Sequence, residues 1–160
     1  MTPRVGLGFD IHPFSDDPAR RLRLGGIALE GPGLAGHSDA DVVAHAVTDA
    51  LLGAAAMGDI GSHFPDTDPA FAGADSMDLL ARVVLTVSTR FEIGNVDVTV
   101  VIEAPKLAPH REAIRRRLAS ALAVDLDQVN VKASSGEGMG FVGRGEGAAA
   151  VAIVNLRHAG

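Results

Sequence analysis

The sequence predicts a single α/β (α+β) domain in which a sheet carries helices on one face. Two observations point there. Stretches of period-two alternation are interleaved with stretches whose apolar residues recur every three or four positions. The last strand-like stretch, 148–156, is apolar on both sides, so its sheet has to be covered on both faces. Three helical patterns in 160 residues cover one face well and the other poorly. The remaining cover is expected from another copy of the chain, hence a homo-oligomer. No internal repeat or low-complexity linker divides residues 1–160.

Residues 4–14 read as a strand, and 21–24 with 27–29 as a hairpin turning on Gly25-Gly26. A loop at Gly31-Pro32-Gly33 leads to the first long helix. Its expected cap is Ser38, with Asp41 three residues on, a variant of the capping box. At about 100° per residue, Val42, Val43, Ala46, Val47, Ala50, Leu51 and Ala54 share one arc. Asp41, His45 and Asp49 stack on the opposite arc, which puts His45 outside the core. Residues 58–69, rich in turn formers and acids, read as a loop. Asp75 caps a second helix over 76–91. Val96, Val98, Val100 and Ile102 alternate with Asp97, Thr99, Val101 and Glu103 in a strand ending at Pro105. Pro109 opens a third helix to 123, and 129–134 and 148–156 are strands flanking a glycine-rich stretch.

Composition excludes several classes. The net charge is −6, with 20 acidic and 14 basic residues, the opposite of a nucleic-acid binder. Arg111 with Arg115-Arg116-Arg117 lies on a helix and reads as a solvated face. No apolar run is long enough for a bilayer and no secretory leader is visible at the start, so no membrane partner is expected. The absence of cysteine excludes a disulfide framework and fits a cytoplasmic location. With no Trp or Tyr, any nucleobase has to be held by backbone and apolar contacts.

Three groups of residues carry chemistry. Asp10 and His12, two apart on a strand, project to one face. If His45 faces them, the Asp/His/His set suits a catalytic zinc, with three protein ligands and one open position. Each residue taken singly reads equally well as an ordinary polar side chain. Asp49 or Asp41, one turn either side of His45, would orient the imidazole. Residues 132–147 hold six glycines, whose N–H groups suit a phosphate, but lack the lysine–serine ending of a Walker loop. Glu137 in their midst fits only if a divalent cation such as magnesium joins the phosphate. A flexible loop is the competing reading. His37-Ser38, at the expected mouth of the first helix, suits an anion.

In collinear order the chain shows Gly8-Phe9-Asp10-Ile11-His12, Gly36-His37-Ser38-Asp39-Ala40-Asp41, Gly58-Asp59-Ile60-Gly61 and Phe64-Pro65-Asp66-Thr67-Asp68-Pro69. Ala104-Pro105-Lys106, Val129-Asn130-Val131-Lys132-Ala133 and Gly143-Arg144-Gly145-Glu146-Gly147 follow. Together they closely resemble the 2-C-methyl-D-erythritol 2,4-cyclodiphosphate synthases of the non-mevalonate isoprenoid pathway. The resemblance implies a mixed sheet whose uncovered face packs around a homotrimer axis, with active sites between subunits. It implies conversion of 4-diphosphocytidyl-2-C-methyl-D-erythritol 2-phosphate to the cyclodiphosphate with release of CMP, a phosphorus–oxygen lyase reaction. Asp10, His12 and His45 match zinc ligands, Glu137 a magnesium (or manganese) ligand, and His37 and Ser135 the residues that stabilise the transition state. Ser38, Asp59, Ile60, Gly61, Phe64, Pro65, Asp66, Thr67 and Asp68 match positions around the erythritol and phosphates, as do Ser134 and Gly136. Ile102, Glu103, Ala104, Pro105, Lys106, Leu107 and Ala108 match the cytidine pocket. Phe141 and Arg144, beside Glu146, match the lining of an axial cavity for an isoprenoid diphosphate. Where many relatives carry Thr-Thr-Thr-Glu before a basic residue, this chain has Ser134-Ser135-Gly136-Glu137-Gly138, so a looser loop and a weaker diphosphate contact are expected. A zinc-dependent phosphohydrolase, or a trimeric nucleotide-binding module without turnover, are the competing functions.

Overall fold

The computed structural model describes residues 2–160. Four strands, β1 (Arg4–Pro13), β4 (Phe91–Val101), β5 (Val129–Ser134) and β6 (Gly147–His158), form a sheet in the order β1-β6-β4-β5. A separate hairpin joins β2 (Arg21–Leu24) to β3 (Ile27–Pro32). The sheet is mixed: β6 runs antiparallel to β1 and β4, and β4 pairs with β5 in parallel. The strands β1, β4 and β5 therefore all end at one edge. In register, Ile11 faces Ala149, Ala149 faces Val101, and Val101 faces Ser134, so one row crosses the whole sheet. At the opposite end Arg4 pairs with Leu156 and Phe91 with His158.

Helices α1 (Val42–Ala55), α3 (Ser76–Val87) and α4 (Arg111–Leu122) cover one face of the sheet, with α1 seated on β1 and β6 and α4 on β5. Two single-turn helices, α2 (Ile60–His63) and α5 (Gly140–Gly143), lie in the connections. Gly6 and Gly8 face α1, whereas the alternate residues Val5, Leu7, Phe9 and Ile11 are exposed. Ile153 on the neighbouring strand is exposed too. The expected shortage of cover on one face is thus present in the chain.

Several elements begin or end elsewhere than expected. The cap of α1 is Asp41, not Ser38. Ala40 takes a positive φ of 58°, which turns the chain sharply, and Ser38 Oγ instead accepts the Ala40 N–H. Asp41 accepts from Val43 and Ala44 and also from Gly25 and Gly26 of the hairpin turn, so one carboxylate fixes helix and hairpin together. The polar arc of α1 is not a solvent face either. Asp41 is fully buried and His45 only 9% exposed, because the hairpin, α2 and α3 close over that side. The second predicted helix stops at Val87, and Phe91, which the helical period includes, starts β4 and is buried. β3 continues through Pro32, and α4 starts at Arg111 after a turn rather than at Pro109. Residues 58–69 contain α2, and a 3-10 turn Pro69–Phe71 follows, their starts capped by Asp59 and Asp68. In the arginine cluster, Arg115 is not merely solvated: it donates to the carbonyls of Val129 and Leu126 and ties α4 to β5.

Candidate metal centre and pocket

Asp10 and His12 lie on the α1 side of β1, and His45 comes to them from the first turn of α1. Asp10 Oδ2 is 3.0 Å from His12 Nε2 and 2.9 Å from His45 Nδ1, and the two imidazole nitrogens are 3.3 Å apart. One ligand atom from each residue falls within 4.8 Å of the others. Two imidazoles and a carboxylate on a half-buried floor are the donor set a catalytic divalent ion such as zinc takes.

The imidazoles are held from behind. His12 Nδ1–H donates to the Ala35 carbonyl at 2.8 Å, which leaves Nε2 facing Asp10. His45 Nε2 lies 2.8 Å from Ser76 Oγ and 3.1 Å from Ser38 Oγ. Neither acid expected to orient His45 does so. Asp41 is consumed by four backbone N–H groups, and Asp49 accepts from the Ile60 amide at 2.7 Å, which anchors α2. Burial pushes the Asp10 carboxyl upward, but the His12 and His45 hydrogen bonds outweigh it and hold it below the ordinary value. Burial likewise pulls His12 down, and the Asp10 hydrogen bond and charge raise it above its usual value.

A cavity of about 470 Å³ opens over this floor. Its lining brings together Asp10, His12, His45, His37, Ser38, Ile60, Gly61, Phe64, Pro65 and Asp66. Gly36, which opens the His37-Ser38 motif, also lines it, as do Phe71 and Leu79, which carried no sequence signal beyond their hydrophobicity. Asp59, Thr67 and Asp68 lie outside this lining: Asp59 caps α2, and the Asp68 carbonyl accepts from His37 Nε2 at 3.0 Å. His37 and Ser38 do not sit at a helix mouth, since that place belongs to Asp41.

The second group assembles on the same sheet edge, beyond β6 and β4. Its first backbone amides are taken within the chain rather than left free for a phosphate. Gly136 N–H donates to Glu103 Oε2 at 2.7 Å, and Gly138 N–H approaches Oε1 at 3.4 Å. Ser135 Oγ accepts from the Glu137 amide, and Glu137 takes a positive φ of 53°. Gly136 packs against Gly143, where a Cβ would fall 2.5 Å from the amide nitrogen. The loop thus has a packing reason for the glycine found in place of a hydroxyl. Ile102 and Leu107 are buried in the core, so that segment presents backbone and the side chains between them. Arg144 and Glu146 form an exposed ion pair at 2.8 Å.

A family model described as the YgbB family matches residues 3–157. The chain belongs to the YgbB family. The 2-C-methyl-D-erythritol 2,4-cyclodiphosphate synthase of Trichlorobacter lovleyi is 54% identical over 155 residues, 96% of this chain and 98% of that one. A bifunctional enzyme IspD/IspF from an Anaeromyxobacter species is 56% identical over 153 residues, 95% of this chain but 39% of its own length. Among YgbB-like solved structures, the Plasmodium falciparum IspF CDP complex superposes with a TM-score of 0.86 at 30% identity. That match covers 99% of this chain and 97% of the other. The bifunctional IspDF of Campylobacter jejuni gives 0.93 at 42% identity, across 99% of this chain and 43% of that one. The four-stranded mixed sheet with its helices is the fold expected for this family.

Proposed function

We propose that the protein converts 4-diphosphocytidyl-2-C-methyl-D-erythritol 2-phosphate to 2-C-methyl-D-erythritol 2,4-cyclodiphosphate and CMP, as a phosphorus–oxygen lyase. The observation that carries this is the convergence of Asp10, His12 and His45 on the floor of a cavity that also contains His37. It occurs in a chain that aligns almost end to end with a synthase of that name. Asp10, His12 and His45 hold zinc in this reading, and Glu137 holds magnesium or manganese. When bound, these ions offset repulsion among the phosphates and polarise the phosphorus under attack.

The residues then have a limited task. The substrate's own 2-phosphate is the nucleophile and is largely dianionic near neutral pH, with a second pKa of roughly 6, so no strong base is needed. The protein has to fold the substrate so that this phosphate lies in line with the departing CMP. Such positioning supplies up to about 7–11 kcal/mol in ideal cases. His37 donates its Nε2–H to the Asp68 carbonyl, and as an imidazolium it presents a second N–H to a phosphate oxygen. Ser135 supplies a second donor to the oxygens that gain charge. The erythritol portion rests among Ile60, Gly61, Phe64 and Pro65.

Register supports a site completed by another subunit. Within one chain, Ser134 stands three strands from Ile11, about 14 Å away at ordinary strand spacing. The cytidine loop 102–108 and Glu137 therefore serve a neighbour's metal floor across a homotrimer interface. The apolar face around Leu7 and Phe9 turns toward the axis, and Arg144 near Phe141 holds an isoprenoid diphosphate there. No helix among the described residues is long and apolar enough to cross a membrane, and the reaction is assigned to the cytoplasm.

Incubating the protein with the cytidyl substrate, zinc and magnesium and following phosphorus NMR tests the reading. Cyclic diphosphate with CMP is expected. Inorganic phosphate would indicate the hydrolase instead, and an unchanged spectrum a binding module.

A further inference from the structure

His45 has two ring nitrogens, and the metal floor uses only one. Nδ1 faces Asp10 and His12, while Nε2 points away into a buried pair of hydroxyls, Ser76 at 2.8 Å and Ser38 at 3.1 Å. Ser76 is completely buried at the start of α3. Its Oγ also meets Asp39 Oδ1, and the other Asp39 oxygen accepts the Ser76 backbone N–H at 3.2 Å.

The hydrogens can be placed by elimination. An ionised carboxylate only accepts, so the Ser76 hydroxyl spends its one hydrogen on Asp39. Ser76 Oγ can then only accept from His45, and Nε2 has to carry the ring hydrogen. Ser38 closes the set: its Oγ accepts the Ala40 N–H and lies 3.3 Å from Ser76 Oγ, and Arg20 holds its carbonyl at 2.7 Å. The chain Asp39–Ser76–His45 thus holds a hydrogen on Nε2, and Nδ1, on the Asp10 side, is the nitrogen left for a metal ion to take.

We infer that Asp39 and Ser76 are positioning residues that fix the tautomer and ring plane of His45 and thereby set the affinity of the metal floor. The inference rests on the metal-centre reading above. Asp39, which reaches the ion only through Ser76 and His45, contributes negative charge that makes the imidazole a stronger donor. None of this was legible in the sequence, because Ser76 opens the helix α3, remote in the chain from His45, and Asp39 lies in a loop.

Zinc affinity of the metal-free full chain, measured by competition with a chelator, tests it. Melting of each metal-free variant and nitrogen-15 spectra of His45 in the zinc-loaded protein accompany the titration. Ser76→Ala is expected to weaken zinc binding about 10–100-fold while the metal-free protein still melts cooperatively. Ser76→Thr, which keeps the hydroxyl, restores most of the affinity. The wild-type spectrum shows a protonated Nε2. If Ser76→Ala fails to fold, Asp39→Asn, which keeps the shape but removes the charge, is expected to show an intermediate loss. Wild-type affinity in Ser76→Ala or, where that variant does not fold, in Asp39→Asn, or an equal loss in Ser76→Ala and Ser76→Thr, overturns the relay and leaves the metal centre standing. Failure of the wild-type chain to bind zinc overturns the metal-centre reading itself.

Discussion

Gly8 on β1 and Ala46 on α1 are so close that no side chain fits between them. A Cβ built on Gly8 would collide with the Ala46 carbonyl oxygen and stand 2.7 Å from the Ala50 nitrogen. Gly6 meets Ala50 and Ala54 in the same way one step back along the strand. This contact sets how near His45, next to Ala46, comes to Asp10 and His12, two and four residues beyond Gly8.

Gly8→Ala should therefore act on both fold and site. Overpacking of this kind typically costs about 1–3 kcal/mol, and backbone on both sides leaves little room to relax. Denaturant unfolding should show that loss, and zinc affinity should fall with it as α1 is pushed outward. A variant with wild-type stability and zinc binding would show that the close approach is not what sets the ligand spacing.

Zinc binding should strengthen as pH rises. His12 is raised above its ordinary value, so a proton competes with zinc for Nε2 until pH passes that value. In the metal-free protein the signs differ for the two partners. The stabilisation from His12 is fully present below its unfolded pKa of about 6.5 and is lost as pH rises through the folded value. That from Asp10 is present above about 3.8 and is lost as pH falls through its lowered folded value. The zinc-induced rise in Tm should grow between about pH 5.5 and 8. A constant rise in Tm over that range would contradict the assignment.

Asp41 predicts a different pH response. Burial pushes its carboxyl up to about 6, with the backbone N–H groups of Ala44, Gly26 and Gly25 pulling the other way. A folded pKa above the unfolded one means that the protonated form favours the native state. That contribution is complete below about pH 4 and is lost as pH rises through about 6. Asp41→Asn removes it. The stability of wild type relative to Asp41→Asn should decline from pH 4 to pH 6 and level off above about pH 6.5. Asp41→Ala should cost about 2–4 kcal/mol near pH 4, as the cap is lost and the Gly25 and Gly26 amides are left bare, and less as pH rises through about 6.

Leu7 and Phe9, 63% and 53% exposed, test the oligomer. Glutamate at either position puts a charge on the apolar face. If that face is the subunit interface, sedimentation should show trimer in the wild type and smaller species in the variants. Trimers that persist in Leu7→Glu and Phe9→Glu alike would place the interface elsewhere.

The sequence made the strands and the ligand pair legible because period-two patterns act locally. Asp10 and His12 share a face whatever surrounds them. His45 was legible as a partner but not as buried, since the helical period says which arc is polar and not what lies over it. The hairpin turn and α3 fill that side, and both are remote in the chain. The cap of α1 was misread for a related reason: Ser38 and Asp41 are both good caps, and the choice rests on the positive φ at Ala40. Glu103 reaching the glycine-rich loop could not be read at all, because it depends on β4 and β5 pairing in parallel.

Both termini of the described chain lie at the sheet end where Arg4 pairs with Leu156, about 27 Å along β1 from His12. An affinity handle, a dye or a further folded module attached at either end hangs on that remote side. Immobilisation through such a handle leaves the cavity entrance facing bulk solution.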